Sequence, residues 1–132
     1  MRVCAGGVLV RGRELLLARR ADDRAFYPGV WDVVGGHCEP GESPRDALVR
    51  EVEEEIGVRC ALGDELSPIG YTDHKGRSKV VRYWLMEAIG DHVFEPNDEV
   101  DEVRWLKGRK ALGRLSYPRD RDVLNQALEV LR

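Results

Sequence analysis

The sequence predicts one compact domain that mixes α-helices and β-strands, and three observations support this prediction. The chain has 132 residues, which is the size of a single ordinary domain. Its hydrophobic fraction, 42%, is too high for a disordered chain. Segments rich in β-forming residues are interspersed with two segments of helical periodicity, and no repeat or low-complexity linker separates them. We therefore expect a single mixed α/β domain over residues 1–132.

The predicted strands are stretches of apolar and β-forming residues bounded by turn residues. Residues 3–10 and 14–20 flank a glycine-containing turn, so we expect them to form a hairpin. A polar loop then precedes a short strand at residues 31–34. Further strands are predicted at residues 58–62, 69–72, 79–89 and 100–106.

Two helices are predicted, and the first, over residues 44–56, has signals at both ends. Ser43 is a favourable N-cap, Pro44 suits the first helical turn, and Gly57 is a natural stop. The second helix spans residues 118–131, where apolar residues recur at helical spacing.

Charge and hydropathy exclude several classes of protein. The 21 basic and 24 acidic residues give a formal net charge of −3, whereas proteins that coat DNA or RNA normally carry a basic surface. No stretch approaches the roughly 18 apolar residues that span a membrane, and the first residues lack the pattern of a signal peptide. A small anionic substrate stays compatible with this composition, because it needs only a local cluster of positive charge or a bound cation.

The cysteine pattern indicates a reducing compartment. The three cysteines are Cys4, Cys38 and Cys60, which are widely spaced and form no Cys-x-x-Cys pair. This pattern excludes a full disulfide framework and gives no zinc signature. We therefore expect a reduced, cytoplasmic protein.

The 44–56 helix has an apolar face and a largely opposite acidic face. The apolar face carries Leu48, Val49, Val52 and Ile56, and the acidic face carries Glu51, Glu54 and Glu55. Neighbouring carboxylates repel each other by a few tenths of a kcal/mol per pair in water, and by up to about 4 kcal/mol at an effective dielectric near 20. A divalent cation removes that repulsion, and oxygen ligands suit Mg²⁺ or Mn²⁺. A solvated acidic face is the alternative interpretation.

The residues around this helix resemble the signature of the Nudix hydrolases, G-x5-E-x7-R-E-U-x-E-E-x-G-U, in which U is aliphatic. In this chain Gly36 is followed by HCEPG, Glu42, SPRDALV and then REVEEEIGV at residues 50–58. All nine specified positions are filled at the required spacing. A weaker resemblance, which includes Glu-Val-Arg-Trp-Leu at residues 102–106, extends across most of the chain.

The resemblance implies an α/β/α sandwich with a mixed sheet, in which the signature helix lies beside the catalytic cleft. It implies hydrolysis of a nucleoside diphosphate linked to another moiety, X. The implied metal ligands are Glu51, Glu54 and Glu55, together with the backbone carbonyl of Gly36.

Other roles follow from the same resemblance. Arg50 is expected to orient a catalytic carboxylate, and Glu42 to support the loop or a water on the metal. Many relatives add a carboxylate from a distant loop, for which Glu99 and Glu102 are the candidates and Glu102 is favoured. Solvated turn charge is the alternative for both, and the sequence leaves open which glutamate is the general base.

Five basic residues are candidates for binding the phosphates, because they lie on or next to strands expected to border the cleft. They are Arg19, Arg20, Arg24, Lys79 and Arg82. Ordinary surface charge is the alternative for each of them.

The predicted function is metal-dependent hydrolysis of a small nucleotide. The favoured substrate is 8-oxo-dGTP or another non-standard nucleoside triphosphate, cleaved to monophosphate and pyrophosphate, because residues 115–121 resemble a segment of some oxidised-nucleotide hydrolases. ADP-ribose, a nucleotide sugar and a dinucleoside polyphosphate are alternative substrates. A nucleotide-sensing module without catalysis is the alternative from another class, although the retained carboxylates argue against it. Dimers are common among relatives, so the resemblance is also compatible with a homodimer.

Overall fold

A computed structural model describes residues 2–21, 29–73, 75–90 and 93–131. Within these residues the chain forms eight strands and three helices. The strands are β1 (Arg2–Arg11), β2 (Glu14–Arg20), β3 (Trp31–Asp32), β4 (Val34–His37), β5 (Cys60–Glu65), β6 (Ile69–Thr72), β7 (Ser78–Ala88) and β8 (Val100–Lys107). The helices are α1 (Pro44–Ile56), α2 (Gly108–Arg114) and α3 (Pro118–Val130).

The mixed α/β prediction is confirmed, with two differences in the elements. The single strand expected at residues 31–34 is two short strands, β3 and β4. Helix α2 was not expected, because its two glycines disfavour a helix. It forms where Ala111 becomes fully buried, so packing overrides propensity. None of the described helices is long and apolar enough to cross a membrane.

The eight described strands form one mixed sheet. Strand β1 pairs in parallel with β7 along almost its whole length, and the other pairings are antiparallel. Strands β5 and β6 both pair with β7, and β8 pairs with β2.

Strands β3 and β4 separate the open ends of β1 and β2. The hairpin pairs β1 with β2 only near its turn, from Val10 opposite Leu15 to Arg11 opposite Glu14. Farther from the turn, β4 pairs with β1 and β3 pairs with β2. The other edges of β1 and β2 are occupied by β7 and β8, so β3 and β4 are inserted between them. This insertion opens the sheet at the place where the candidate site lies.

Side chains of β1, β2 and β7 alternate between two hydrophobic cores, as the twofold repeat of a strand requires. One core lies under α1 and includes Leu48, Val52 and Trp84. The other lies under α2 and α3 and includes Leu17 and Leu124. Helices therefore cover both faces of the sheet, which is the layering expected of an α/β/α sandwich.

Candidate metal centre and cavity

Helix α1 is held at both ends by the expected caps. The Oγ atom of Ser43 accepts a hydrogen bond from the N–H of Asp46 at 3.2 Å. Gly57 adopts a left-handed conformation with φ 76°, and its N–H donates to the carbonyl oxygen of Glu53 at 3.1 Å. These caps, with the apolar face packed on the sheet, set the rotation of α1 and place its acidic face against β4.

Two glycines in β4 allow a close approach between this strand and its neighbours. A Cβ atom at Gly35 would lie 2.7 Å from the backbone oxygen of Ala5. A Cβ atom at Gly36 would lie 2.3 Å from Cγ and 2.5 Å from Cδ of Glu51. Glycine at position 36 therefore leaves the space that the Glu51 side chain occupies against the backbone of β4.

Three carboxyl groups meet beside β4. One oxygen from each of Glu51, Glu55 and Glu99 lies within 4.8 Å of the others. Burial, together with hydrogen bonds and charge from Glu99 and Glu51, raises the pKa of Glu55 to about 10. Crowded carboxyl oxygens are the ligand type that hard divalent cations prefer, and a cation offsets their mutual repulsion. The side chains present therefore fit a divalent cation.

The loop before β8 brings Glu99 to α1. The side-chain amide of Asn97 donates to the carbonyl oxygen of Glu55 at 2.8 Å, and its Oδ1 accepts from the N–H of Glu99 at 2.9 Å. The carbonyl oxygen of Glu99 accepts from the N–H of Ala21 at 3.0 Å. Asn97 thus links helix and loop, a role that sequence reasoning missed because a single Asn in a polar loop carries no distinguishing pattern.

Two predicted ligands lie outside this three-carboxylate cluster in the described structure. The exposed side chain of Glu54 accepts a hydrogen bond from Arg50 at 3.1 Å. Glu102, which the sequence favoured over Glu99, accepts from Nε of Arg104 on the same strand. The structure therefore brings Glu99, and not the favoured Glu102, into the cluster, because residue 99 precedes β8 in the loop that reaches α1. Which of the two holds a metal stays a prediction.

Arg50 connects the signature loop to α1. Its Nε and Nη2 atoms donate to the two carboxylate oxygens of Glu42 at 2.8 and 3.0 Å. Its Nη1 donates to Glu51 at 3.0 Å as well as to Glu54. Hydrogen bonds from Arg50 and from a backbone N–H lower the pKa of Glu42 to about 2. This geometry suits the orienting role expected of Arg50 and the loop-supporting role expected of Glu42.

A cavity of about 260 Å³ contains the Glu51, Glu55 and Glu99 cluster in its lining. Of the predicted phosphate-binding cations, Arg20 lines this cavity, and Arg24 lies outside the described residues. Arg119 also lines it and was not proposed from the sequence.

The described structure does not place Arg19, Lys79 or Arg82 in the cavity lining. Each is instead close to a carboxylate elsewhere in the structure. Two hydrogen bonds of 3.0 Å join Arg82 to its partner, and Nζ of Lys79 lies 3.7 Å from its own. The partners of Arg19, Lys79 and Arg82 are Asp101, Asp73 and Glu65, respectively.

A second acidic group, Asp32 and Asp120, lines the same cavity. The two carboxyl groups lie close enough for each to affect the pKa of the other. Burial and the charge of Asp32 raise the pKa of Asp120 to about 8, and burial also raises the pKa of Asp32. Sequence reasoning missed this pair, although one signal was present: Asp120 falls on the apolar stripe of α3 with Val123 and Leu124.

Comparison with known proteins identifies the family. Residues 1–127 match the family described as NUDIX domain. This chain belongs to that family. The NUDIX match includes the signature at residues 36–58, whose helix supplies Glu51 and Glu55 of the cluster described above.

Relatives of this NUDIX domain include named nucleotide phosphatases. An 8-oxo-(d)GTP phosphatase from Mycolicibacterium smegmatis is 38% identical over 96 residues, which cover 73% of this chain but only 29% of that protein. The nucleoside triphosphatase NudI from Escherichia coli is 31% identical over 101 residues, 70% of this chain and 72% of NudI. The chain therefore spans less than a third of the first relative's length.

The fold is shared with solved structures of other proteins. A C. elegans Ap4A hydrolase superimposes with a TM-score of 0.83 at 24% identity. The superposition covers 99% of this chain and 98% of the hydrolase. This agreement supports the α/β/α sandwich with a mixed sheet.

Proposed function

We propose that this NUDIX domain hydrolyses a phosphoanhydride bond in a nucleoside diphosphate linked to X, with a divalent cation as cofactor. The favoured substrate is 8-oxo-dGTP or another non-standard nucleoside triphosphate, cleaved to monophosphate and pyrophosphate. The observation that carries the proposal is a single cavity that joins a carboxylate cluster suited to a cation with the basic residues Arg20 and Arg119. The names of the two bacterial relatives support a nucleotide substrate.

Each acidic side chain in and beside the cluster has a role in this proposal. Glu51, Glu55 and Glu99, with the backbone carbonyl of Gly36, would hold Mg²⁺, and Mn²⁺ suits the same ligands. When bound, the cation supplies neutralisation of phosphate charge and activation of a water molecule. Glu54 lies one turn from Glu51 on the exposed side of α1, where it can take a proton from water or complete the ligand set.

In this proposal Arg50 positions the carboxylates of Glu51 and Glu54. It donates to Glu51 and Glu54 from one nitrogen, so both carboxylates keep a fixed relation to each other. Its paired hydrogen bonds to Glu42 anchor that nitrogen to the loop between β4 and α1. Bidentate arginine–carboxylate pairs hold orientation better than single hydrogen bonds do.

The test measures pyrophosphate and phosphate release with Mg²⁺ from a nucleotide panel. We expect release from 8-oxo-dGTP, and a fall of at least about 100-fold in kcat for Glu51→Gln and for Glu54→Gln. Glu53→Gln is the matched control, because Glu53 is an exposed carboxylate of the same helix outside the cluster. Equal rates for wild type and Glu51→Gln would overturn the proposal.

The panel also separates the alternative substrates. It includes ADP-ribose, a nucleotide sugar and a dinucleoside polyphosphate, each of which contains a phosphoanhydride bond. Turnover of one of these in preference to triphosphates would replace the favoured substrate and keep the reaction class. Tight binding without turnover of any nucleotide would instead indicate a sensing module.

A second comparison tests the loop carboxylate. Glu99→Gln is expected to weaken the apparent affinity for Mg²⁺ at least about 10-fold, because it removes an oxygen of the cluster. Glu102→Gln is the control, since Glu102 pairs with Arg104. A larger loss of Mg²⁺ affinity in Glu102→Gln than in Glu99→Gln would support the assignment to Glu102 that was first favoured from the sequence.

The cytoplasmic location, the single-domain organisation and the homodimer stay predictions. Light scattering of the purified protein would test the homodimer.

A further inference from the structure

The loop that carries Glu99 is held by apolar packing only at its ends. Phe94 packs against the core under α1, and Val100 is buried in the same core, whereas residues 95–99 between them are exposed. On the side of β2, the carbonyl oxygen of Glu99 accepts from the N–H of Ala21 at 3.0 Å. The position of Glu99 relative to α1 therefore needs a separate contact.

The side chain of Asn97 makes that contact. Its Nδ2 donates to the carbonyl oxygen of Glu55 at 2.8 Å, and its Oδ1 accepts from the N–H groups of Glu99 and Val100 at 2.9 and 3.0 Å. Glu55 lies one residue from the end of α1, where backbone carbonyls lack an N–H partner within the helix. One side chain thus joins the backbones of Glu55 and Glu99, whose carboxyl groups both belong to the three-carboxylate cluster.

An asparagine has the chemistry that this position needs. The bond to Glu55 requires a donor, and the bonds to the loop require an acceptor, so a carboxylate or an ammonium group supplies only half of the set. The second N–H of the amide donates to the carbonyl oxygen of Glu95 at 3.3 Å. Both donors and both lone pairs of the Asn97 amide are therefore used on backbone groups, which leaves none for a cation or a substrate.

We propose that Asn97 is a positioning residue that fixes the Glu99 carboxylate against α1 and thereby sets the affinity for the divalent cation. This inference rests on the proposed function, because it takes the three-carboxylate cluster as the site of the cation. Helix α1 already fixes Glu51 and Glu55 relative to each other, since both lie on the same helix. The contribution of Asn97 to cation binding is therefore made through Glu99.

The experiment titrates the EDTA-treated protein with Mn²⁺ in the absence of nucleotide and follows free Mn²⁺ by electron paramagnetic resonance. We expect Asn97→Ala to weaken Mn²⁺ binding about 10-fold, which is the size of loss expected for Glu99→Gln. Because Asn97 is exposed, its truncation leaves no cavity in the core. Asn125→Ala is the matched control, because Asn125 is an exposed asparagine of α3, and it should bind Mn²⁺ as wild type does. Wild-type Mn²⁺ affinity in Asn97→Ala would overturn the proposal.

A double-mutant cycle shows whether Asn97 acts through Glu99. In the Glu99→Gln background, Asn97→Ala should lower Mn²⁺ affinity less than about 2-fold further, because the carboxylate that it positions is already absent. A further loss of about 10-fold in the double variant would mean that the two residues act independently, which would contradict a positioning role.

Asn97→Ser separates the loop from its link to the helix. The Oγ of serine can accept from N–H groups of the same loop, but it lies one bond closer to the backbone than Nδ2 does and so does not extend to the carbonyl of Glu55. We therefore expect Asn97→Ser to bind Mn²⁺ as weakly as Asn97→Ala. Recovery of wild-type affinity in Asn97→Ser would show that the loop alone positions Glu99, and would overturn the link to α1.

Amide hydrogen exchange in EDTA gives a readout that involves no metal. Because Oδ1 of Asn97 accepts from the N–H groups of Glu99 and Val100, both should exchange at least about 3-fold faster in Asn97→Ala. The N–H of Ala47, which donates to Ser43 at the other end of α1, is the internal reference and should keep its wild-type rate. Unchanged exchange at both Glu99 and Val100 would count against the assignment.

Failure of this inference is distinguishable from failure of the proposed function. A wild-type protein that neither binds Mn²⁺ nor hydrolyses nucleotides would overturn both. Hydrolysis that depends on Glu51, with equal Mn²⁺ affinity in wild type and Asn97→Ala, would overturn only the role of Asn97.

Discussion

At the scale of single residues, carboxyl groups of the signature loop and of the cavity differ in pKa because their neighbours differ. Glu42 has a pKa lowered to about 2, since Arg50 donates two hydrogen bonds to its oxygens. Asp120 has a pKa raised to about 8, since it is buried beside Asp32. The same functional group is thus held ionised in the signature loop and protonated at neutral pH on α3.

A divalent cation should stabilise this protein through Glu55. Saturating Mg²⁺ at about 100 times its Kd adds about 2.7 kcal/mol to the free energy of unfolding. Glu55→Gln removes one oxygen ligand of the cluster, so most of that gain should disappear. Thermal unfolding with Mg²⁺ and with EDTA measures the effect, and Glu53→Gln should retain the wild-type gain. An undiminished gain in Glu55→Gln would exclude Glu55 as a ligand.

Asp120 should make stability fall as pH rises. Its folded pKa lies above that of an unfolded aspartate, so the folded state binds the extra proton between about pH 4 and pH 8. The stabilisation is complete below about pH 4 and is lost toward pH 8, by at most roughly 1.4 kcal/mol per pH unit. Urea unfolding at several pH values should show a shallower decline in Asp120→Asn. Parallel curves for the two proteins would contradict this account.

At the scale of elements, local signals explain α1 but not α2. The caps of α1, Ser43 and Gly57, lie next to the helix in sequence, and its apolar residues repeat with the helical period. Helix α2 contains two glycines and has no side-chain N-cap. Its formation depends on the burial of Ala111 against other elements. Such long-range packing cannot be predicted from a local sequence pattern.

Gly36→Ala should disturb the metal centre while the fold persists. The added Cβ would lie 2.9 Å or less from three carbons of the Glu51 side chain, so this carboxylate must move away from β4. We expect kcat and Mg²⁺ affinity to fall at least about 10-fold, with little change in circular dichroism. Gly113→Ala is the control, because its Cβ meets nothing within 4 Å, and it should be neutral or stabilising by up to about 1 kcal/mol. Wild-type Mg²⁺ affinity in Gly36→Ala would argue against this role.

At the scale of the whole molecule, one sheet supports two cores and lets two faces share a cavity. The core under α1 contains Leu48, and the core under α3 contains Leu124. Side chains of the same strands contribute alternately to both cores, so neither face can lose its packing independently. The gap created by β3 and β4 lies between these layers.

Removing a large side chain from either core should therefore shift one cooperative transition. Leu48→Ala and Leu124→Ala are each expected to lower the free energy of unfolding by about 2–5 kcal/mol. Urea unfolding followed by tryptophan fluorescence and by circular dichroism should give coincident curves for both variants. Separate transitions for the two faces would show that the layers unfold independently.

The sequence by itself determined α1, its caps and the spacing of Arg50 and the signature carboxylates, because these depend on residues within a few positions of one another. Only the tertiary structure decided that Glu99 joins the cluster, that Arg20 lines the cavity, and that Asp32 meets Asp120. These contacts depend on strand pairing and helix docking between segments that are distant in sequence. Local sequence patterns do not specify that geometry.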